Sequence, residues 1–222
     1  MADPSTVLGA GPLRQIPGAI GPLETMLDRP AGDPRAAVVF AHPLPTEGGT
    51  MHTKVVYQAA KALARAGCVV LRFNFRGVGL SAGAWDRGRG ELDDFRAAVD
   101  FMAAGYPQLE LWAGGFSFGS YIATTAGADD DRVSALIAIA PPVDRYEFAS
   151  VKMSHKPKFI IHGERDELIP LRMVRHFYAQ LHEPKEMVEI DRANHLFDGQ
   201  AGEVGDALVD LLEGFSCRTP SS

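Results

Sequence analysis

The chain has 222 residues, of which 46% are hydrophobic and 23% charged, an ordinary globular balance that excludes wholesale disorder. Its formal net charge of -6 argues against a face built to neutralise nucleic-acid phosphates or anionic lipid. Two cysteines, Cys68 heading an apolar run and Cys217 in a polar tail, make no disulfide framework.

Residues 1–12 read as a loose arm. They show no basic segment followed by a long apolar stretch, so no signal peptide is expected. The longest apolar run, Ala135–Val143, is too short to span a bilayer. The expectation is one cytoplasmic domain over residues 1–215, monomeric or homodimeric, with a disordered tail over 216–222. No membrane or nucleic-acid partner is expected.

The first strand candidate, Leu23–Leu27, is expected at a sheet edge. Ala37–Ala41 is a continuous apolar run, the pattern of a strand buried on both faces. It leads into His42-Pro43-Leu44-Pro45-Thr46-Glu47-Gly48-Gly49. Val55–Ala66 repeats apolar residues at helical spacing and stops at Gly67, a suitable C-terminal cap. Cys68–Phe73 is the next strand. Glu91–Ala104 reads as a helix whose Glu91, Asp93 and Asp94 favour the positive end of its dipole. Leu109–Ala113 is a strand and Phe118–Ala126 a helix, followed by the strand Val133–Ala140. Phe159–His162 (strand), Arg172–Leu181 (helix), Met187–Ile190 (strand) and Glu203–Phe215 (helix) complete the alternation. The pattern predicts an α/β fold with a mostly parallel central sheet, helices on both faces and no cap domain.

Two segments match G-x-S-x-G: Gly79-Leu80-Ser81-Ala82-Gly83 and Gly115-Phe116-Ser117-Phe118-Gly119. The chemistry needs a strand, a sharp turn and a helix, so that a strained serine stands exposed above the sheet. Ser117 has a strand before it and a helix after it. Ser81 sits in a glycine-rich loop where no helix can start, and reads as a loop residue. A serine hydroxyl needs a base, usually histidine oriented by a carboxylate. On a sheet of this kind those partners follow the serine, just beyond strand C-termini. Asp166, in the turn after Phe159–His162, is the preferred acid, with Glu164 and Asp144 as rivals. His195, in the loop after Met187–Ile190, is the preferred base, whereas His176 and His182 fall on a helix and are expected to be solvated. His42 precedes the serine and reads as a loop-shaping residue.

Two backbone N–H groups must face the developing oxyanion. Phe118, which follows the serine, supplies one. Within Pro43–Pro45 only Leu44 has an N–H, so Leu44 is the second, with Thr46 as the alternative. Met51, Tyr146, Phe148 and Phe197, with Leu44 and Phe118, are candidates for an apolar substrate pocket, and Trp85 is placed near its mouth.

These segments resemble the α/β-hydrolase superfamily, and more closely its small lidless bacterial esterase-like branch related to dienelactone hydrolases. The resemblance rests on His42-Pro43-Leu44-Pro45 with Gly48-Gly49, Phe73–Ser81, Gly114–Gly119, His162–Asp166 and Asn194–Phe197, in the family's order. It implies a serine hydrolase with Ser117, Asp166 and His195 as triad and no metal or organic cofactor. Dienelactone hydrolases typically carry cysteine where this chain has Ser117, so their particular activity does not transfer. The expected activity is hydrolysis of small-molecule carboxylic esters of small to medium acyl chain. A thioesterase or peptidase of the same fold is the alternative, and a non-catalytic binding module a more distant one. The stretch Pro141–Pro157, where relatives insert a lid, is too short for one, so an open site without interfacial activation is expected.

Overall fold

The computed structural model describes residues 14–216, with side chains described to Leu212. The arm expected over 1–12, Cys217 and, Ser216 apart, the tail expected over 216–222 lie outside the described residues. In chain order the elements are β1 (Gln15–Gly18), β2 (Gly21–Asp28), β3 (Ala36–Ala41), α1 (Lys54–Arg65), β4 (Cys68–Phe73), α2 (Arg89–Gly105), β5 (Glu110–Phe116), α3 (Phe118–Asp129), β6 (Val133–Ile139), α4 (Ala149–Met153), β7 (Lys158–Gly163), α5 (Leu171–Gln180), β8 (Lys185–Ile190) and α6 (Ala201–Ser216). A short 3-10 turn spans Pro45–Glu47.

The strands form one eight-stranded sheet in the order β1-β2-β4-β3-β5-β6-β7-β8. The first two pairings, β1 with β2 and β2 with β4, are antiparallel; the remaining five are parallel. Leu23–Leu27 is therefore not an edge. It lies inside β2, flanked by β4 and by β1, a strand the sequence pattern did not reveal.

The central strands read as unbroken apolar runs because both faces are covered. Val39, Leu71 and Ala113 face a core shared with Phe95, Ile122 and Val174 of α2, α3 and α5. Their neighbours Val38, Val70 and Trp112 face the opposite core, with Val56 and Leu63 of α1 and Leu208 of α6. Fully burying a side chain of this size is worth roughly 1.5–3 kcal/mol, so the two layers dominate the stability of the sheet. Helix α1 ends as anticipated, with Gly67 at φ 90°, a conformation that costs glycine little.

Helix α2 departs from expectation. Glu91 accepts from the N–H groups of Asp86 and Gly88 at 2.9 and 2.7 Å, closing a capping arrangement. Asp94 is not a dipole residue at the surface. It faces inward, buried, and takes the Arg76 guanidinium at 3.0 and 2.8 Å and the Arg76 N–H at 2.9 Å. No helix among the described residues is long and apolar enough to cross a membrane. Between β6 and β7 the connection contains only the five-residue α4, which forms no lid.

Candidate active site

Ser117 stands between β5 and α3 with φ 51° and ψ -123°, a region L-residues rarely occupy. Its N–H donates to the Ile139 carbonyl at 2.8 Å, and its own carbonyl accepts from Ser120 Oγ at 2.7 Å, so the strained turn is held from both sides. The flanking glycines are steric necessities. A Cβ on Gly115 would meet the Gly119 carbonyl, and one on Gly119 would meet the carbonyls of Ala41 and His42 at the end of β3.

Three loops converge above the sheet's C-terminal edge. Ser117 Oγ lies 2.9 Å from His195 Nε2, and His195 Nδ1 lies 2.7 Å from Asp166 Oδ2. The other carboxylate oxygen, Oδ1, accepts from the N–H groups of Leu168 and Ile169 at 2.9 and 2.8 Å. Burial works to raise the Asp166 carboxyl, but the His195 hydrogen bond, the Ile169 N–H and the nearby imidazoles outweigh it and hold the group below its ordinary value. A carboxylate accepts but does not donate, so Nδ1 must carry the imidazole proton and Nε2 turns its lone pair to the serine.

The rival carboxylates do other work. Glu164 Oε2 accepts from the Arg192 N–H at 2.9 Å, tying the acid loop to the loop that carries His195. Asp144 is exposed and meets Arg145 at 3.8 Å. His176 bonds to Gln180 on the open face of α5, and exposed His182 stacks on His155. Behind the acid loop, buried His162 places Nε2 at 2.8 Å from the Ile169 carbonyl and 3.5 Å from Asp166 Oδ2, a contact the sequence did not suggest.

Ser81 lies in a loop and is buried. Its Oγ accepts from the Glu24 N–H at 2.9 Å and donates to the Asn74 carbonyl at 2.6 Å. His42 is also buried. Its Nε2 accepts from the Phe75 N–H at 3.0 Å and its Nδ1 meets the Pro43 carbonyl at 2.7 Å. Burial lowers its pKa to about 4. Farther along, the Met51 N–H donates to Asn74 Oδ1 at 2.8 Å and its carbonyl accepts from Arg72 at 2.8 Å. Arg72 is itself held by Asp28 at 2.7 Å, so the loop after β3 is moored at both ends.

Above the serine opens a cavity of about 480 Å³. Leu44, Phe118 and Tyr146 line it, together with Phe116, Pro142, Arg145, Leu168, Leu196, Thr53 and Glu47. Met51, Phe148 and Phe197 do not. Met51 is buried under the moored loop. Phe148 packs on Phe177 with ring centroids 5.0 Å apart, and Phe197 turns into the core against Phe116 at 6.2 Å. Trp85 packs on Phe118 at 5.1 Å outside the cavity wall, and Thr46 sits exposed in the 3-10 turn. Sequence reasoning missed Leu168 and Leu196, both exposed. The signal available was their position, two residues after Asp166 and one after His195, in otherwise polar loops.

Residues 32–154 match the family Hydrolase_4, described as serine aminopeptidase, S33. An α-β serine hydrolase homologue from Coxiella burnetii is 39% identical, with TM-score 0.87 over 93% of this chain and 99% of its own. An α/β serine hydrolase without lid from Xanthomonas campestris is 35% identical, with TM-score 0.86 over 96% of each chain. An uncharacterized protein of Rickettsia prowazekii is 34% identical over 82% of this chain and 81% of its own length. A dienelactone hydrolase from Anabaena variabilis, 21% identical with TM-score 0.76 over 92% of this chain and 96% of its own, shares the fold.

Proposed function

The chain belongs to the Hydrolase_4 family and has the fold of the α/β serine hydrolases, and we propose that it cleaves carboxylic esters of small to medium acyl chain, with Ser117 as nucleophile, His195 as base and Asp166 as its orienting acid. The observation that carries this reading is the unbroken path from Ser117 through His195 to Asp166, at 2.9 and 2.7 Å, with the serine strained at φ 51° beneath a largely apolar cavity.

His195 Nε2 takes the Ser117 proton as Oγ attacks the ester carbonyl. The negative oxygen rests between the N–H groups of Phe118 and Leu44. Phe118 opens α3, where the first helical N–H groups have no intrahelical partner. The Leu44 N–H shares its peptide with the Pro43 carbonyl, which accepts from His42 Nδ1 at 2.7 Å, and that bond fixes the orientation of the donor. The imidazolium returns its proton to the departing alcohol, leaving an acyl-enzyme. Water deprotonated by the same imidazole then attacks, and the acid departs.

Esters are favoured over peptides by the charges around the cavity. Recognition of a peptide ammonium calls for a desolvated carboxylate. The acidic side chain lining the cavity is Glu47, which is exposed, and Arg145 lies on the same lining.

The test is covalent. A fluorophosphonate should label Ser117 and leave Ser81 untouched, read by peptide mass spectrometry. Ser117→Ala should abolish turnover of p-nitrophenyl esters with the fold intact. Labelling at Ser81 alone, or full activity in the alanine variant, would refute the assignment.

A further inference from the structure

The segment after β6 is a partition with a cavity on each side. It is a tight turn: the Arg145 and Tyr146 N–H groups both donate to the Pro142 carbonyl, at 3.1 and 3.3 Å. Pro142 and Arg145 face the catalytic cavity. Val143, Glu147 and Phe148 face a second cavity of about 210 Å³, bounded on its far side by Met173, His176, Phe177 and Gln180 of α5. Tyr146 lines both cavities, so its ring is the wall between them.

That wall is held by ring contacts. Tyr146 stacks on Tyr121 at 4.4 Å and leans on Phe118 at 5.7 Å, and its hydroxyl bonds to no described residue. Turning the ring therefore breaks no hydrogen bond. The floor beyond it is apolar, with Phe148 and Phe177 buried side by side. Its mouth carries Glu147 and Lys152, one charge of each sign.

Resting on the ester-hydrolase reading, we propose that this second cavity is a distal subsite for the substrate: it takes the end of an alkyl or aryl arm too long for the catalytic cavity, admitted past Tyr146. The apolar floor selects a hydrocarbon or ring. The opposite charges of Glu147 and Lys152, with the polar His176 and Gln180 beside them, suit a neutral polar end group.

The experiment compares rates of Ser117 labelling by two p-nitrophenyl alkylphosphonates, one ethyl and one octyl. In this step the Ser117 Oγ–P bond forms, p-nitrophenolate leaves, and the hydroxyl proton passes to His195. The probe reports occupancy of the site without requiring ester turnover. Met173→Trp fills the second cavity from the α5 side, and Val143→Phe fills it from the turn, so one serves if the other fails to fold. Each should lower the octyl-to-ethyl rate ratio on the order of tenfold, the cost of leaving about two methylene groups unburied. Tyr146→Ala, which removes the partition, should raise that ratio. A ratio within twofold of wild type in folded Met173→Trp and Val143→Phe would overturn the distal subsite while leaving the ester reading intact. Failure of both probes to label wild-type Ser117 would overturn the reading of the site itself, and the subsite with it.

Discussion

Asp166→Asn changes one oxygen to an NH2 group and almost no volume, yet the two backbone donors at Asp166 make it severe. Oδ1 accepts from Leu168 and Ile169 at 2.9 and 2.8 Å, so an asparagine must put its carbonyl oxygen there. Its NH2 group then takes the place of Oδ2, 2.7 Å from His195 Nδ1. Two N–H donors cannot face each other, so the imidazole must move its proton to Nε2. That nitrogen then presents a hydrogen to Ser117 Oγ, where a lone pair is required. Reversing the amide sacrifices both backbone bonds, each worth about 1 kcal/mol net, and turns a donor on two donors. The expected loss in kcat is on the order of 10⁴-fold. Asp166→Ala leaves the imidazole free of the opposing donor, so the near-isosteric asparagine should be no better than alanine. The assay is steady-state hydrolysis of p-nitrophenyl acetate by wild type and both variants, with thermal unfolding to show that each is folded. A folded Asp166→Asn enzyme within about tenfold of wild type, less than 1.4 kcal/mol of barrier, would refute the reasoning.

Other perturbations test the supports around the site. The neutral His42 ring, with a pKa lowered by burial from 6.5 to about 4, binds a proton more weakly folded than unfolded. Stability should therefore fall as pH drops from about 6.5 to about 4, by roughly 3 kcal/mol from this group. Urea titrations near both limits should show a flatter pH dependence in His42→Gln, and an unchanged slope would remove His42 as its source. Ser81→Ala strips a part-buried Glu24 N–H and a buried Asn74 carbonyl of their partner. It should cost about 1–3 kcal/mol and a melting-temperature drop of several degrees with kcat retained, a pattern opposite to that of Ser117→Ala. Gly119→Ala drives a Cβ into the carbonyls of Ala41 and His42, forcing α3 away from the loop that bears Leu44. Separating the two oxyanion donors should lower kcat by roughly 10²–10³-fold, and a folded variant with wild-type kcat would count against those donors.

The central strands were readable because burial on both faces leaves a continuous apolar signature, as Val38 to Phe40 and Val69 to Leu71 illustrate. β1 offers no such pattern. Ile16 is the buried side chain of its four residues, and the strand exists because β2 provides a ladder for it. Asp28 concealed the far end of β2, since a strand residue with a charge reads as a turn until Arg72 of β4 is found bonded to it. At the site, the loops bearing Ser117, Asp166 and His195 announce themselves by local chemistry and by their place after strands. The pocket does not. Leu196 and Phe197 are adjacent and equally apolar, but the backbone turns at Phe197, φ 51°, sending its ring into the core and leaving Leu196 at the cavity. Composition carries no record of that choice. The same limit hid Arg76–Asp94, whose partners are 18 residues apart and look like two surface charges.

Leu168 and Leu196, 52% and 55% exposed, border a cavity that no described residue closes. A site without a lid imposes no lid-opening step on a substrate short enough to leave the Tyr146 ring in place. Solvent viscosity then acts on encounter and departure, and leaves the bond-making steps alone. In the mechanism proposed above, the open mouth also sets the fate of the acyl group. Water holds no privileged route to the acyl-serine, and a dissolved alcohol meets the same unobstructed approach. The ratio of free acid to transferred ester is then governed by which nucleophile His195 deprotonates more readily, making acyl transfer in mixed solvent a direct measure of how undiscriminating an unlidded site is.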